Sequence, residues 1–334
     1  MRWLILLVVF VLAGCGQPQT YSQESYVFGT RVEVTIYGAP QALAERVTAQ
    51  VLRDFDVMHH SLHAWEPGTL SRMNGIFALA PAQAAIAPGM IPIIQDATRY
   101  SIQSGGLFNP AIGNLIKLWG FQSDHFEAKL PDPALIKQLV AENPKMQDIV
   151  VDGIMFHSTN PAVRVDLGGY AKGYALDMAA AYLRSQGIKN ALINIGGNII
   201  AIGQHGDRPW RVGIQHPRKP APIALLDLRD GEAVGTSGDY QRYFELNGQR
   251  YCHIIDPRTG WPAQGVQAVT VLISPGPHAG TLSDVASKPI FIAGVAGWQA
   301  AAQKMGVDKA MLIDANGKVH MTAAMQQRLN FKVN

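Results

Sequence analysis

Tyr240-Gln241-Arg242-Tyr243-Phe244-Glu245-Leu246-Asn247-Gly248-Gln249-Arg250-Tyr251-Cys252-His253-Ile254-Ile255 holds two strand-like runs joined by Asn-Gly. That dipeptide between alternating runs marks a type I′ hairpin, because both turn residues need positive φ. Period-two alternation puts Tyr251, His253 and Ile255 on one face and Cys252 and Ile254 on the other. Outward from the hairpin, strand signals recur at 32–37, 191–201, 210–215, 233–234 and 266–273. Leu43, Val47, Val51 and Phe55 step by four through a helix expected over 41–58. Further helices are expected over 91–104, stopped by Gly105-Gly106, and over 169–186, ended by Gly187. Strands come in groups and helices interrupt them irregularly. The expected class is therefore α+β, with mainly antiparallel sheets and inserted helices, rather than regular βαβ alternation.

The 28 Lys and Arg against 25 Asp and Glu leave a formal charge of +3. No run of basic residues accompanies it, so nucleic acid is excluded as a partner. With 48% hydrophobic and 16% charged residues, the chain can bury a large core and is not disordered. Its 33 Gly and 20 Pro exceed the average share and point to many tight turns. Two cysteines make no disulfide framework.

The N-terminus predicts the compartment. One arginine precedes an apolar run over 4–12, too short to span a bilayer, that ends in Leu12-Ala13-Gly14-Cys15. Small residues before a cysteine resemble a bacterial lipobox, and an ordinary secretory signal is the other reading. The expectation is a signal peptide over 1–14, a lipid on Cys15, a soft tether over 15–25 and one domain over 26–334. Cys252 is then a free thiol.

Val163-Arg164-Val165-Asp166-Leu167-Gly168-Gly169-Tyr170-Ala171-Lys172-Gly173 passes from a short strand through two glycines into a helix. A helix start offers free N–H groups to an anion. Lys172 in that first turn opposes the helix dipole and needs another reason, such as a bound phosphate. The alternative is a packing glycine pair with a solvated lysine. Ile193-Asn194-Ile195-Gly196-Gly197-Asn198-Ile199 reads equally as a bulge or as a close approach to a ligand. Thr236-Ser237-Gly238-Asp239 reads as a small polar loop. His253, three residues before Asp256 in a Pro turn, is a candidate general base oriented by that carboxylate, or else a structural histidine. His59, His60 and His63 read as helix-end surface residues rather than a metal site.

These segments, in order along nearly the whole mature chain, closely resemble the ApbE family of flavin transferases. Phe28-Gly29-Thr30, Leu70-Ser71-Arg72-Met73-Asn74, Ser104-Gly105-Gly106-Leu107-Phe108-Asn109-Pro110 and Leu118-Trp119-Gly120-Phe121 add to the match, as do 166–173, 194–198, 210–217, 236–240, 253–260 and Ser283-Asp284. The resemblance implies two intertwined subdomains with a flavin cleft between them. It implies an enzyme that cleaves FAD, releases AMP and attaches FMN to a threonine of a partner, typically a subunit of a membrane electron-transfer complex facing the periplasm. It puts the catalytic base on His253 and FAD contacts on Phe28, Trp65, Leu107, Phe108, Asn109, Asp166, Lys172 and Ile254. The metal, usually Mg²⁺, falls on Gly169, Asp284 and position 288. Here the chain departs from the pattern: Asn109 and Asn198 stand where the family often has Asp, and Lys288 stands where it commonly has a metal-binding Thr. A protonated lysine has no lone pair for a metal. Pro289 also disfavours a helical Lys288. The expectation is that the ammonium pairs with Asp284 and partly replaces the cation. Two other readings stay open: an FAD pyrophosphatase in which water attacks, and a flavin-binding lipoprotein without turnover.

Overall fold

Val266–Ile273 is buried at every position, and such a strand needs a packed layer on both faces of its sheet. A computed structural model describing residues 19–81, 83–123 and 127–331 contains both layers. The strand lies in an eight-stranded sheet ordered Thr20–Val27, Thr30–Tyr37, Ala191–Ile195, Asn198–Ile202, Ala233–Gly238, Val266–Ile273, Ala310–Asp314 and Val319–Met321. Every neighbouring pair is antiparallel. Val269, Val271 and Ile273 join the main core with the helices Gln41–Leu62, Ala171–Ser185 and Ala279–Lys304. Ala268 and Leu272 face a second core, closed by a small sheet of Trp210–Gln215, Pro222–Leu228 and Leu329–Asn330. The α+β, mainly antiparallel class is the one observed.

The hairpin joins Tyr243–Leu246 to Gln249–Cys252, with φ of 52° at Asn247 and 76° at Gly248, as its type I′ turn requires. Its alternation sorts side chains as expected. Tyr251 and Ile255 enter a third core with Trp119, Ile136 and Phe244, whereas Cys252 and Ile254 enter the main one. Trp119 stacks on Tyr251 at 5.8 Å and donates its Nε1–H to the Gly260 carbonyl at 2.7 Å. The third core draws its residues from two separate stretches of the chain, 112–140 and 244–261.

Several expectations need correction. The 191–201 segment is two strands, and Gly196 and Gly197, with φ of 57° and 92°, form their turn. It is neither a bulge nor an interrupted strand. Thr236, Ser237 and Gly238 belong to a strand rather than a loop. Their small size lets Thr236 meet Thr270 and Ser237 meet Ser287 through paired hydroxyls at 2.9 and 2.7 Å. The soft tether ends early, because Thr20–Val27 pairs along its whole length with Thr30–Tyr37. Signal peptide, Cys15 and the first tether residues lie outside the described residues. Helix 41–58 runs on to Leu62. Among the described residues no helix is long and apolar enough to cross a membrane.

Two glycines set the distance between the helices that carry the site. A Cβ on Gly173 would lie 2.7 Å from Thr281 Cα and from Asp284 Cβ, and one on Gly280 would lie 2.7 Å from the Gly173 carbonyl. Gly173→Ala is therefore expected to destabilise the fold by about 1–3 kcal/mol through overpacking, measurable by urea unfolding. Wild-type stability would contradict the close crossing.

Candidate active site

A buried amide clamp sets the floor of the site. Asn74 donates to the Val165 carbonyl at 2.8 Å and accepts from its N–H at 2.7 Å. Beside it, Arg164 and Asp166 donate their N–H groups to the carbonyls of Ala111 and Pro110. The extended 163–166 segment thus lies along the loop that carries Phe108. Ser104 holds that loop by accepting the Phe108 N–H at 3.0 Å.

Asp166 is pinned on both oxygens, accepting Trp65 Nε1–H at 2.8 Å and the Gly168 N–H at 2.8 Å. Arg164 covers the Trp65 ring at 4.4 Å, a cation–π contact that rigidifies the indole. Phe28 sits at the tip of the first hairpin with φ of 57°, a conformation a bulky side chain rarely holds outside a constrained site. Its ring meets Phe55 and His59 edge-on. The structure therefore joins Trp65 to Asp166 across 101 residues and brings Phe108 beside Gly169, 3.6 Å from where a Cβ would stand.

His253 has one defined tautomer. Its Nδ1 lies 3.1 Å from the Arg242 carbonyl, and a carbonyl oxygen only accepts. Nδ1 therefore carries the proton and Nε2 keeps a lone pair. Burial first, then the Arg242 guanidinium and, less strongly, Lys172 and Lys288, push its pKa down to about 3. The ring is neutral throughout the physiological range, with its Nε2 lone pair uncharged and unprotonated. Arg242 is itself held by the carbonyls of Phe121 and Ser123 at 2.7 and 3.1 Å.

Asp256 does not orient His253. Its carboxylate is taken by Arg258, through the Arg258 N–H and two guanidinium nitrogens at 2.7–3.2 Å. The Arg242 carbonyl has the role expected of it. Arg242 was missed, although counting back from Asn247-Gly248 sets 246 against 249, 243 against 252 and hence 242 against 253. Asn109 is committed to the backbone, donating to the Pro144 carbonyl and accepting from Ala111 N–H. An aspartate could not make the first of these bonds. Asn198 is buried against Gly235.

Asp284 is 1% exposed. Its Oδ2 accepts the Gly173 N–H at 3.0 Å and its Oδ1 accepts the Lys288 ammonium. Burial alone would raise its pKa. The charges of Lys288 and Lys172 outweigh that and hold the carboxyl below the usual range. The helix Ala279–Lys304 continues through Pro289, so the one-turn spacing from Asp284 to Lys288 holds after all. Cover by the core on both sides keeps the turn in place, and the break falls at Gly294 instead, with φ of 63°. The Lys288 stem lies 3.2 Å from the Cβ position of Gly169. These residues do not fit a Mg²⁺ ion: the Lys288 ammonium stands against the Asp284 carboxylate, and the third expected ligand is itself a cation.

His59, His63 and Glu66 bring ligand atoms within 4.8 Å of one another. Yet His63 Nδ1 accepts the N–H groups of Trp65 and Glu66 at 3.2 and 2.9 Å. Its proton is then on Nε2, facing Glu66. A metal there would demand a doubly deprotonated ring, so this cluster is a turn that seats Trp65.

Fold and site together define an α+β protein with lysines and an arginine gathered around a neutral histidine. The sequence profile of the ApbE family matches residues 28–312, and the chain belongs to that family. It is 41% identical over 332 residues to the FAD:protein FMN transferase of Rhodobacter capsulatus, an overlap of 98% of this chain and 62% of that protein. The chain thus spans less than two thirds of that relative's length. A Klebsiella pneumoniae protein of the same name is 30% identical over 289 residues, 82% of each chain. The crystal structure of the ApbE protein of Thermotoga maritima superposes with a TM-score of 0.84 at 26% identity, covering 93% of this chain and 99% of that one.

Proposed function

We propose that the protein is an FAD:protein FMN transferase. Its substrates are FAD and an acceptor protein with an exposed threonine. His253 Nε2 takes the threonine hydroxyl proton while the threonine oxygen attacks the FMN-side phosphorus. The phosphorus–oxygen bond to the AMP half breaks, and AMP leaves with the bridging oxygen and the electron pair. Lys172, in the first turn of the helix Ala171–Ser185 and close enough to act on His253, would neutralise the pyrophosphate's charge. The observation that carries this reading is the His253 tautomer, with Nδ1–H held by the Arg242 carbonyl at 3.1 Å and the Nε2 lone pair left for the reaction. Mere flavin binding would need no such proton acceptor. Chromatography of AMP tests the reading: release that requires a threonine-bearing acceptor supports transfer, and equal release without one supports a pyrophosphatase.

The sequence of residues 1–15 supports a lipid-anchored enzyme on the periplasmic side of a bacterial membrane, acting on a membrane electron-transfer subunit. Cys15→Ala is expected to move the protein into the soluble fraction with its activity on a soluble acceptor unchanged. Retention in the membrane pellet would overturn the lipid assignment.

A further inference from the structure

The cation position beside Asp284 is filled by the chain itself. Lys288 directs its ammonium at two oxygens of one residue, the Asp284 carbonyl at 2.6 Å and the Asp284 carboxylate. We infer that this ammonium is a built-in counter-cation that takes the place of a divalent ion, so that the protein binds the FAD pyrophosphate without a metal. The FAD half of this inference rests on the function proposed above.

The donor count favours it. An ammonium has three N–H donors, and two are spent on Asp284, leaving one for a phosphate oxygen. The Lys288 side chain retains 17% exposure, whereas Asp284 keeps 1%, so the lysine and not the carboxylate is what a ligand can reach. Mg²⁺ requires near-octahedral oxygen ligation. Here Asp284 Oδ2 is taken by the Gly173 N–H and Oδ1 by Lys288. Among the described residues the one cluster of metal-ligating side chains is His59, His63 and Glu66, which the His63 tautomer disqualifies. Among the described residues no alternative set of carboxylates stands at Asp284.

The charge count agrees. Lys172 and Lys288 act on both Asp284 and His253, and Arg242 acts on His253. With His253 neutral, Lys172 and Lys288 outweigh the one Asp284 carboxylate and leave the site positive towards a pyrophosphate diester, which carries two negative charges. A lysine is a point charge and cannot bridge two phosphate oxygens as a metal does. The arrangement therefore neutralises the substrate but holds it less rigidly.

Mn²⁺, followed by the loss of its free electron-spin signal, is the direct probe and is independent of turnover. Wild type is expected to show no stoichiometric Mn²⁺ site and equal FAD affinity with and without EDTA. Lys288→Thr is expected to gain one site, at least about tenfold tighter than any in wild type, and to lose it again on Asp284→Asn. One Mn²⁺ bound by wild type and lost on Asp284→Asn overturns the inference. So does a drop in wild-type FAD affinity in EDTA, or a folded Lys288→Thr protein with no gain of a site. Should Lys288→Thr fail to fold, the two wild-type measurements decide alone. Absence of FMN transfer in both EDTA and Mg²⁺ would instead count against the transferase reading, while the Mn²⁺ titration still decides the role of Lys288.

Discussion

His253→Ala is expected to slow FMN transfer by roughly 10²–10⁴-fold, the usual contribution of a positioned general base, with FAD affinity nearly unchanged. Nδ1 is committed to the Arg242 carbonyl, so only Nε2 can serve the reaction. Single-turnover kinetics with saturating FAD measure the loss. An unchanged rate would remove His253 from the chemistry, and lost flavin binding would make it a residue that positions substrate. The pH dependence follows from the same geometry. In the unfolded chain the ring titrates near 6.5, whereas in the fold it stays neutral down to about 3. Between those values the unfolded state binds the extra proton, so His253 lowers stability as pH falls below about 6.5. Transfer itself should show no loss of base between about pH 5 and 8. Urea unfolding of wild type and His253→Ala at pH 5 and 8 separates this share, because the variant lacks it.

Asp284→Ala has the largest expected effect on stability. It leaves the Lys288 ammonium half-buried without its carboxylate and the Gly173 N–H without its acceptor. Breaking one partner of a buried ion pair costs about 3–5 kcal/mol, because the remaining charge stays desolvated. Removing both partners, in Asp284→Ala with Lys288→Met, should restore most of that loss. Equilibrium unfolding of the two variants checks it. If the single variant matched wild type, Lys288 would turn freely to solvent and its pairing would carry no weight.

Much of this architecture was legible from local pattern. The Asn247-Gly248 turn fixes a register, and period-two alternation sorted Tyr251 and Ile255 from Cys252 and Ile254 as observed. Pattern failed where a partner came from elsewhere in the chain or from an unexpected neighbour. Trp65 and Asp166 meet across 101 residues, and only the family resemblance had put both at the flavin. Asp256 stood at a suggestive distance from His253 in sequence, yet Arg258, two residues on, captured it. A backbone carbonyl then orients the histidine, and no side-chain motif reports a carbonyl. Pro289 argued against a helical Lys288 by local sterics, and the buried core around the Ala279–Lys304 helix overrode that preference. The paired glycines 196 and 197 have the positive φ values of a hairpin turn, a reading hidden because the strands on both sides are almost wholly apolar.

The mass of an acceptor domain after incubation with the mature protein and FAD tests the central claim most directly. A gain equal to FMN less one water is expected, located on a threonine and abolished when that threonine is replaced by valine. An acceptor of unchanged mass beside intact FAD, under conditions in which the protein demonstrably binds the flavin, would contradict it.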